Sequence, residues 1–293
     1  MPPELSVTVA PRAGTLGVLR LLRPKHWIKN LFVLAPLIFS GLFTQQSARL
    51  YALFGMLMFC VAASMVYILN DLADREQDAI HPTKRLTRPL ASGAVSVAAA
   101  RTLLVVLAVL LLAALKVSLP LVAVLIVYIV LNVLYSTWLK HMPVIDIFSV
   151  AAGFVLRVYA GAVVIDVPLS SWMLVTTLAI ALYLAAIKRR DELEVQGDAA
   201  RAVLGQYSVA LLDRFALMAS VCAMVFYCMF VVTTRPVLAF TIPFVLFGIF
   251  RYWFLVDRQG RGESPTDALW SDRPLAITVV LWGLLCAYLL RQP

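Results

Sequence analysis

Nine stretches of the chain are apolar at almost every position, roughly 27–43, 48–72, 97–115, 119–136, 144–164, 170–188, 215–232, 237–256 and 273–290. A helix rises ~1.5 Å per residue, so about 20 residues cross a hydrocarbon layer ~30 Å thick. Backbone amides that face lipid have no water to bond and must satisfy one another. Long unbroken apolar runs do this as helices rather than as barrel strands. The chain is 62% hydrophobic and 14% charged, with a mean hydropathy of +0.91. A soluble fold of this length needs far more polar surface. The expectation is an all-α integral membrane protein with a single domain over residues 1–293 and nine transmembrane helices. Residues 1–22 are expected to be a flexible cytoplasmic segment, with no compact apolar core of a cleavable signal. The cysteines Cys60, Cys222, Cys228 and Cys286 lie singly in apolar runs and read as small hydrophobic residues.

The net charge of +9 invites a nucleic-acid reading, but the placement of the charges answers it differently. With the amino terminus inside, twenty of the 25 Lys and Arg residues fall on the cytoplasmic side. Four, Arg49, Lys116, Arg235 and Arg291, fall outside, and Arg157 lies within a span. That asymmetry sets the orientation and accounts for the basic balance without nucleic acid. Of the sixteen acids only Asp166 falls outside, which topology rules do not require. A face dense in both signs calls for a chemical explanation.

The first such cluster closes the second apolar stretch: Asn70-Asp71-Leu72-Ala73-Asp74-Arg75-Glu76-Gln77-Asp78. On a continuing helix Asp71, Asp74 and Asp78 share one face. Like charges so placed repel, and a divalent cation removes the conflict. Mg²⁺ takes oxygen ligands and is held by one or two carboxylates plus substrate phosphates. Asn70 adds a neutral oxygen. The run His81-Pro82-Thr83-Lys84-Arg85-Leu86-Thr87-Arg88 follows, and its Lys84, Arg85 and Arg88 suit phosphate oxygens. A second cluster, Lys188-Arg189-Arg190-Asp191-Glu192-Leu193-Glu194 through Asp198, repeats the acidic spacing 120 residues later, but behind three cations. Two helix ends facing one cavity would produce such a pseudo-repeat. Asp191 joins Asp71, Asp74 and Asp78 as a candidate metal ligand.

A third set lies within the membrane. Arg157 is costly in lipid unless it meets a cavity or a partner. Asp146, Ser149, Gly153, Arg157 and Gly161 fall near one helical stripe, with Asp146 and Arg157 roughly 16 Å apart along the axis, too far to pair. Tyr135 and Lys140 end the preceding span. Near the first span, Arg23-Pro24-Lys25-His26-Trp27-Ile28-Lys29-Asn30 offers Lys25 and Lys29 as phosphate contacts, and Asn30 needs a partner inside an apolar run. No Walker loop, GxSxG motif or dinucleotide fingerprint is present.

Together these stretches resemble the UbiA superfamily of intramembrane prenyltransferases, whose first aspartate motif, NDxxDxxxD, is met in full by Asn70, Asp71, Asp74 and Asp78. Within it, RPKHWIKN, the ND…HPTKR run, YSTWLKH followed by Asp146, and the Lys188-Arg189-Arg190 cluster are similar to the decaprenyl-phosphate phosphoribosyltransferase branch. The resemblance implies nine transmembrane helices around a cytoplasm-facing cavity in a bacterial inner membrane. It implies phosphoribosyl diphosphate as donor, a polyprenyl phosphate as acceptor and Mg²⁺ as cofactor. Association into a homo-oligomer stays open. Where prenyl-diphosphate users carry the two leading aspartates of a second motif, this chain aligns Ala181 and Lys188. A cationic second wall of Lys188, Arg189 and Arg190 suits a donor with both a 5-phosphate and a diphosphate. The alternatives are an aromatic prenyltransferase of the same fold, with the aspartates on an isoprenyl diphosphate, and a membrane transporter.

Overall fold

The computed structural model describes residues 15–80, 84–196, 203–259, 268 and 271–291. Helix is the regular structure throughout the described residues: α1 (Thr15–Leu22), α2 (Ala35–Phe39), α3 (Gln46–Ala73), α4 (Arg75–Ile80), α5 (Lys84–Thr87), α6 (Val97–Ala113), α7 (Leu119–Thr137), α8 (Ile145–Val164), α9 (Ser171–Gln196), α10 (Val209–Thr234), α11 (Ile242–Gln259) and α12 (Arg273–Leu290). Eight of these helical segments among the described residues are long and apolar enough to cross a membrane.

The expected first span, 27–43, takes another form. A 3₁₀ run, Pro24–Leu34, leads into the five-residue α2, which ends at Gly41 with φ 81°. Pro24 and Pro36 each remove a helical donor, and the residue before each is biased away from a regular α-helix. Of residues 1–22, expected to be flexible, 1–14 lie outside the described residues. Residues Thr15–Leu22 form α1, and Leu21 is fully buried against a cluster containing Ile68, Leu90 and Leu107.

Helix starts follow local chemistry. Ser96, Ser118 and Ser208 accept hydrogen bonds through Oγ from Ala99, Leu121 and Leu211, and Asp272 accepts one from Leu275, which caps α6, α7, α10 and α12. Helix α9 runs eight residues beyond its expected end at 188. Its polar tail is stitched at i,i+3 and i,i+4 spacing by Arg189–Glu192, Arg190–Glu194 and Lys188–Glu192, which makes a continued helix favourable where a loop was expected.

Two core clusters organise the bundle. One joins α3, α7 and α8 around Phe59, Leu121, Leu125 and Tyr128, and the other joins α9, α10, α11 and α12 around Tyr183, Ile187, Leu255 and Leu275. The stripe Asp146, Ser149, Gly153, Arg157 and Gly161 is buried along α8. At Gly161 a Cβ would stand 1.9 Å from the carbonyl oxygen of Val33, so only glycine lets the 3₁₀ segment lie on α8. Successive spans alternate in direction. The carboxyl ends of α3, α7, α9 and α11 and the amino ends of α6, α8, α10 and α12 therefore share one end of the bundle, where most of the charges sit. At 28 residues, α3 extends about 42 Å, longer than a hydrocarbon layer, and its acidic end projects from it.

Candidate active site

Asp71 lies on the last turn of α3, and its side chain is 2% exposed. Its Oδ1 accepts hydrogen bonds from the guanidinium groups of both Arg23 and Arg88. Arg23 reaches it from a left-handed backbone position (φ 53°) between α1 and the 3₁₀ run, with its guanidinium over the Tyr67 ring. Arg88 comes from the segment after α5. Oδ2 is buried and has no hydrogen-bond partner. A buried carboxylate oxygen without a partner is unfavourable, and a divalent cation or a donating substrate group would relieve it.

The helix is interrupted at Asp74, whose backbone N–H still donates to the carbonyl of Asn70 at 2.9 Å, and α4 follows. The shared face expected of a continuous helix is thereby split. Asp78 is turned inward and buried, whereas Asp74 is exposed. Asn70 is half-buried beside them. Among the described residues no three His, Cys, Asp or Glu side chains converge on one point. Asp71 with Asp78 therefore fits Mg²⁺ only in the shared mode, in which one or two carboxylates and substrate phosphate oxygens divide the coordination.

The second cluster is built around Arg189, whose side chain is 4% exposed. Nε donates to Asp146 Oδ2 at 2.8 Å, Nη1 to Glu192 Oε2 at 2.6 Å and Nη2 to the Tyr135 hydroxyl at 2.7 Å. Tyr207, on the segment entering α10, donates to Asp146 Oδ1 at 2.7 Å and accepts from the backbone N–H of Val144. Burial pushes the Tyr207 phenol up, and the hydrogen bond to Asp146 adds to the effect, so the hydroxyl keeps its proton. Val144 holds φ 69°, a conformation β-branched residues rarely adopt. The bond from Tyr207 braces this turn immediately before Asp146.

The structure therefore assigns the cations of 188–190 unequal roles. Arg189 is enclosed by carboxylates and a phenol, and Arg190 donates to Asp213 Oδ1 and Glu194 Oε2, both at 2.6 Å. The open cationic wall expected of all three is corrected: acids within reach neutralise the two arginines. The side chain of Lys188 is 42% exposed and 3.7 Å from Glu192. Asp191 is buried on the same helix end. His81, Pro82, Thr83 and Asp198 lie outside the described residues, as does the side chain of Lys84. Arg85 and Lys25 are exposed, and Lys29 and Lys140 are half-buried.

Arg157 has partners of its own within the membrane span. Nε donates to Asn30 Oδ1 at 2.9 Å, Nη1 to the Gly153 carbonyl at 2.7 Å and Nη2 to the Tyr128 hydroxyl at 3.1 Å. Its guanidinium lies over the rings of Phe59, Tyr128 and Phe154 at 4.9–5.3 Å. Asn30 donates in turn to Cys60 Sγ at 3.2 Å. Both residues, expected near substrate, meet in a buried node that ties the 3₁₀ segment to α3, α7 and α8.

Residues 32–271 match the profile of the UbiA prenyltransferase family. The chain belongs to that family. Among relatives of this UbiA-family chain, the decaprenyl-phosphate phosphoribosyltransferase of Mycolicibacterium smegmatis is 39% identical over 77% of this chain and 73% of its own. That of Mycobacterium tuberculosis is 35% identical over 94% and 95%. A UbiA homolog from Archaeoglobus fulgidus, solved bound to GPP and Mg²⁺, superposes with a TM-score of 0.72 over 94% of this chain and 99% of that one, at 20% identity. That likeness establishes the UbiA fold for a multi-pass membrane protein.

Three site residues escaped sequence reasoning. Arg23 stood inside a motif already singled out, yet its pairing with Asp71 spans 48 positions. Glu192 was visible in the acidic run but without a role. Tyr207 is one tyrosine in a polar connection and carries no sequence signal.

Proposed function

We propose that this chain transfers 5-phosphoribose from phosphoribosyl diphosphate to a polyprenyl phosphate of decaprenyl type. The product is polyprenyl-phosphoryl 5-phosphoribose, a precursor of arabinose donors for the cell envelope. The reaction belongs to the inner membrane of a bacterium, with the amino terminus and the acidic end of the bundle on the cytoplasmic side. The observation that carries this reading is the similarity to decaprenyl-phosphate phosphoribosyltransferases along nearly the whole of both chains. The arrangement of α9 supports it. Among the described residues, Glu192 and Glu194 of α9 are engaged by Arg189 and Arg190, as are Asp146 and Asp213, so these four acids do not form a bare carboxylate clamp of the kind an isoprenyl diphosphate would use.

In this reading the bond from ribose C1 to the diphosphate oxygen breaks, and diphosphate leaves as an anion. An oxygen of the lipid phosphate forms the new bond to C1, through an oxocarbenium-like state. That oxygen is already anionic near neutral pH, so no general base is assigned. Asp71 Oδ2 and Asp78 would hold Mg²⁺ together with phosphate oxygens of the donor, and the ion would supply charge neutralisation for the diphosphate; Asn70 and Asp74 stand at the same helix end, and Asp191 at the end of α9. Arg88 and Arg85 hold phosphate oxygens beside the acids. Lys188 meets the 5-phosphate, with Lys25, Lys29 and Lys140 at the same end. Arg23 and Arg88 fix Asp71 with one oxygen turned away from them. Tyr207 and Asp146 hold Arg189, whose bond to Tyr135 orients that phenol.

The test is to incubate membranes containing the chain with labelled phosphoribosyl diphosphate, polyprenyl phosphate and Mg²⁺, then extract the lipids. Label in the lipid phase supports the reading. Absence of label, with transfer instead from an isoprenyl diphosphate to an aromatic acceptor, overturns it.

A further inference from the structure

The end of the bundle opposite Asp71 carries few charges. Arg49 and Asp71 lie on the same helix, about 33 Å apart by helical rise. Of the four cations at this far end, Arg235 is engaged by backbone: Nε and Nη2 donate to the carbonyls of Phe39 and Ser40 at 3.1 and 3.0 Å. Lys116 lies on the separate turn between α6 and α7. The other two, Arg49 and Arg291, line one cavity of about 530 Å³ together with Phe43, Thr44, Ala287 and Tyr288. Arg49 makes a long contact of 3.4 Å to the Phe43 carbonyl. Neither arginine pairs with a carboxylate among the described residues, in contrast to Arg23, Arg88, Arg189, Arg190 and Arg251.

The cavity sits at the level where spans end. Arg49 is in the first turn of α3, and Arg291 follows the last residue of α12. From each arginine an exposed apolar stripe runs back along its helix: Leu50, Leu53 and Leu57 on α3, and Tyr288, Leu284 and Leu281 on α12, all at i, i+3, i+7 spacing and 46–65% exposed. A paired guanidinium site matches the oxygens of a phosphate, and apolar stripes starting at its rim match acyl chains. A free soluble anion would have no use for those stripes.

We propose that this cavity binds the phosphate of an anionic phospholipid headgroup, with its acyl chains along α3 and α12. The site is separate from the transfer reaction and does not depend on its assignment. The test is native mass spectrometry of the full chain in mild detergent with dioleoyl phosphatidylglycerol, dioleoyl phosphatidylcholine or inorganic phosphate. Phosphatidylglycerol is expected to remain bound, and the double variant Arg49→Gln/Arg291→Gln to retain about tenfold less, as two lost cation–phosphate contacts imply. Lys116→Gln should retain as much as the parent. If the double variant does not fold, the single change Arg291→Gln, at an exposed residue beyond α12, should still lower retention. Equal retention by the variants, equal retention of phosphatidylcholine, or displacement of the lipid by millimolar inorganic phosphate would overturn the proposal, the last by assigning the cavity to a free anion.

Discussion

Tyr207 and Asp146, 61 positions apart in the chain, are joined by a hydrogen bond of 2.7 Å, and the same hydroxyl accepts from the Val144 amide. One phenol thus holds both the strained turn before α8 and the carboxylate that grips Arg189. Tyr207→Phe removes a donor and an acceptor and is expected to lower stability by about 1–3 kcal/mol, read as a fall in the thermal midpoint in detergent. Turnover should fall as well, because Asp146 loses its fixed orientation. An unchanged midpoint would mean that Tyr207 does not brace this turn.

Arg189 is a single planar fork shared among three partners. Arg189→Gln leaves the buried Asp146 without its cation and Glu192 with Lys188 alone, and is expected to cost about 3–5 kcal/mol. Arg189→Lys should recover little of this, since one ammonium cannot reproduce the three directed bonds. Unfolding midpoints of the two variants, measured side by side, test the point.

Removal of divalent cations with a chelator is expected to abolish transfer, and added Mg²⁺ to restore it. Asp71→Ala should lower turnover by about a hundredfold or more at every Mg²⁺ concentration, while the protein stays inserted in the membrane. Magnesium titrations of the parent and the variant compare the two directly. Near-normal turnover in the variant would remove Asp71 from the site.

Lys188 and Arg157 should separate binding from architecture. Lys188→Gln, at an exposed side chain, is expected to raise KM for phosphoribosyl diphosphate several-fold with the thermal midpoint unmoved. Arg157→Met leaves Asn30 Oδ1 and the Tyr128 hydroxyl without their buried donor and should cost about 1–3 kcal/mol, with KM little changed. Steady-state kinetics beside melting curves decide whether the two variants differ in this way.

The membrane spans could be read from sequence because apolar length is a local property. The Asp71 motif could be read because its spacing is local as well. What sequence concealed was pairing across distance. The cations at 188–190 looked like an open phosphate wall because their acidic partners are divided among α8, α9 and α10. Asp146 and Asp213 are remote in sequence, and only the fold brings them onto Arg189 and Arg190. Asn30 and Arg157 were each recognised as needing a partner, but nothing in their separation of 127 positions indicated that they are partners of each other. The broken first span was signalled by Pro24 and Pro36, but apolar composition outweighed those breaks until the contact with α8 was visible.

That break also sets an order of assembly. A 3₁₀ segment bearing Asn30 is a poor candidate for partitioning into lipid alone, because its side-chain amide has no partner there. Its partner, Arg157, and the groove at Gly161 that receives Val33 are made only when α8 has been synthesised. This stretch, synthesised before α8, therefore settles only after α8 is in place. A nascent chain stopped before α8 would hold it only loosely, and the amino-terminal arm that delivers Arg23 to Asp71 would be fixed late in biogenesis.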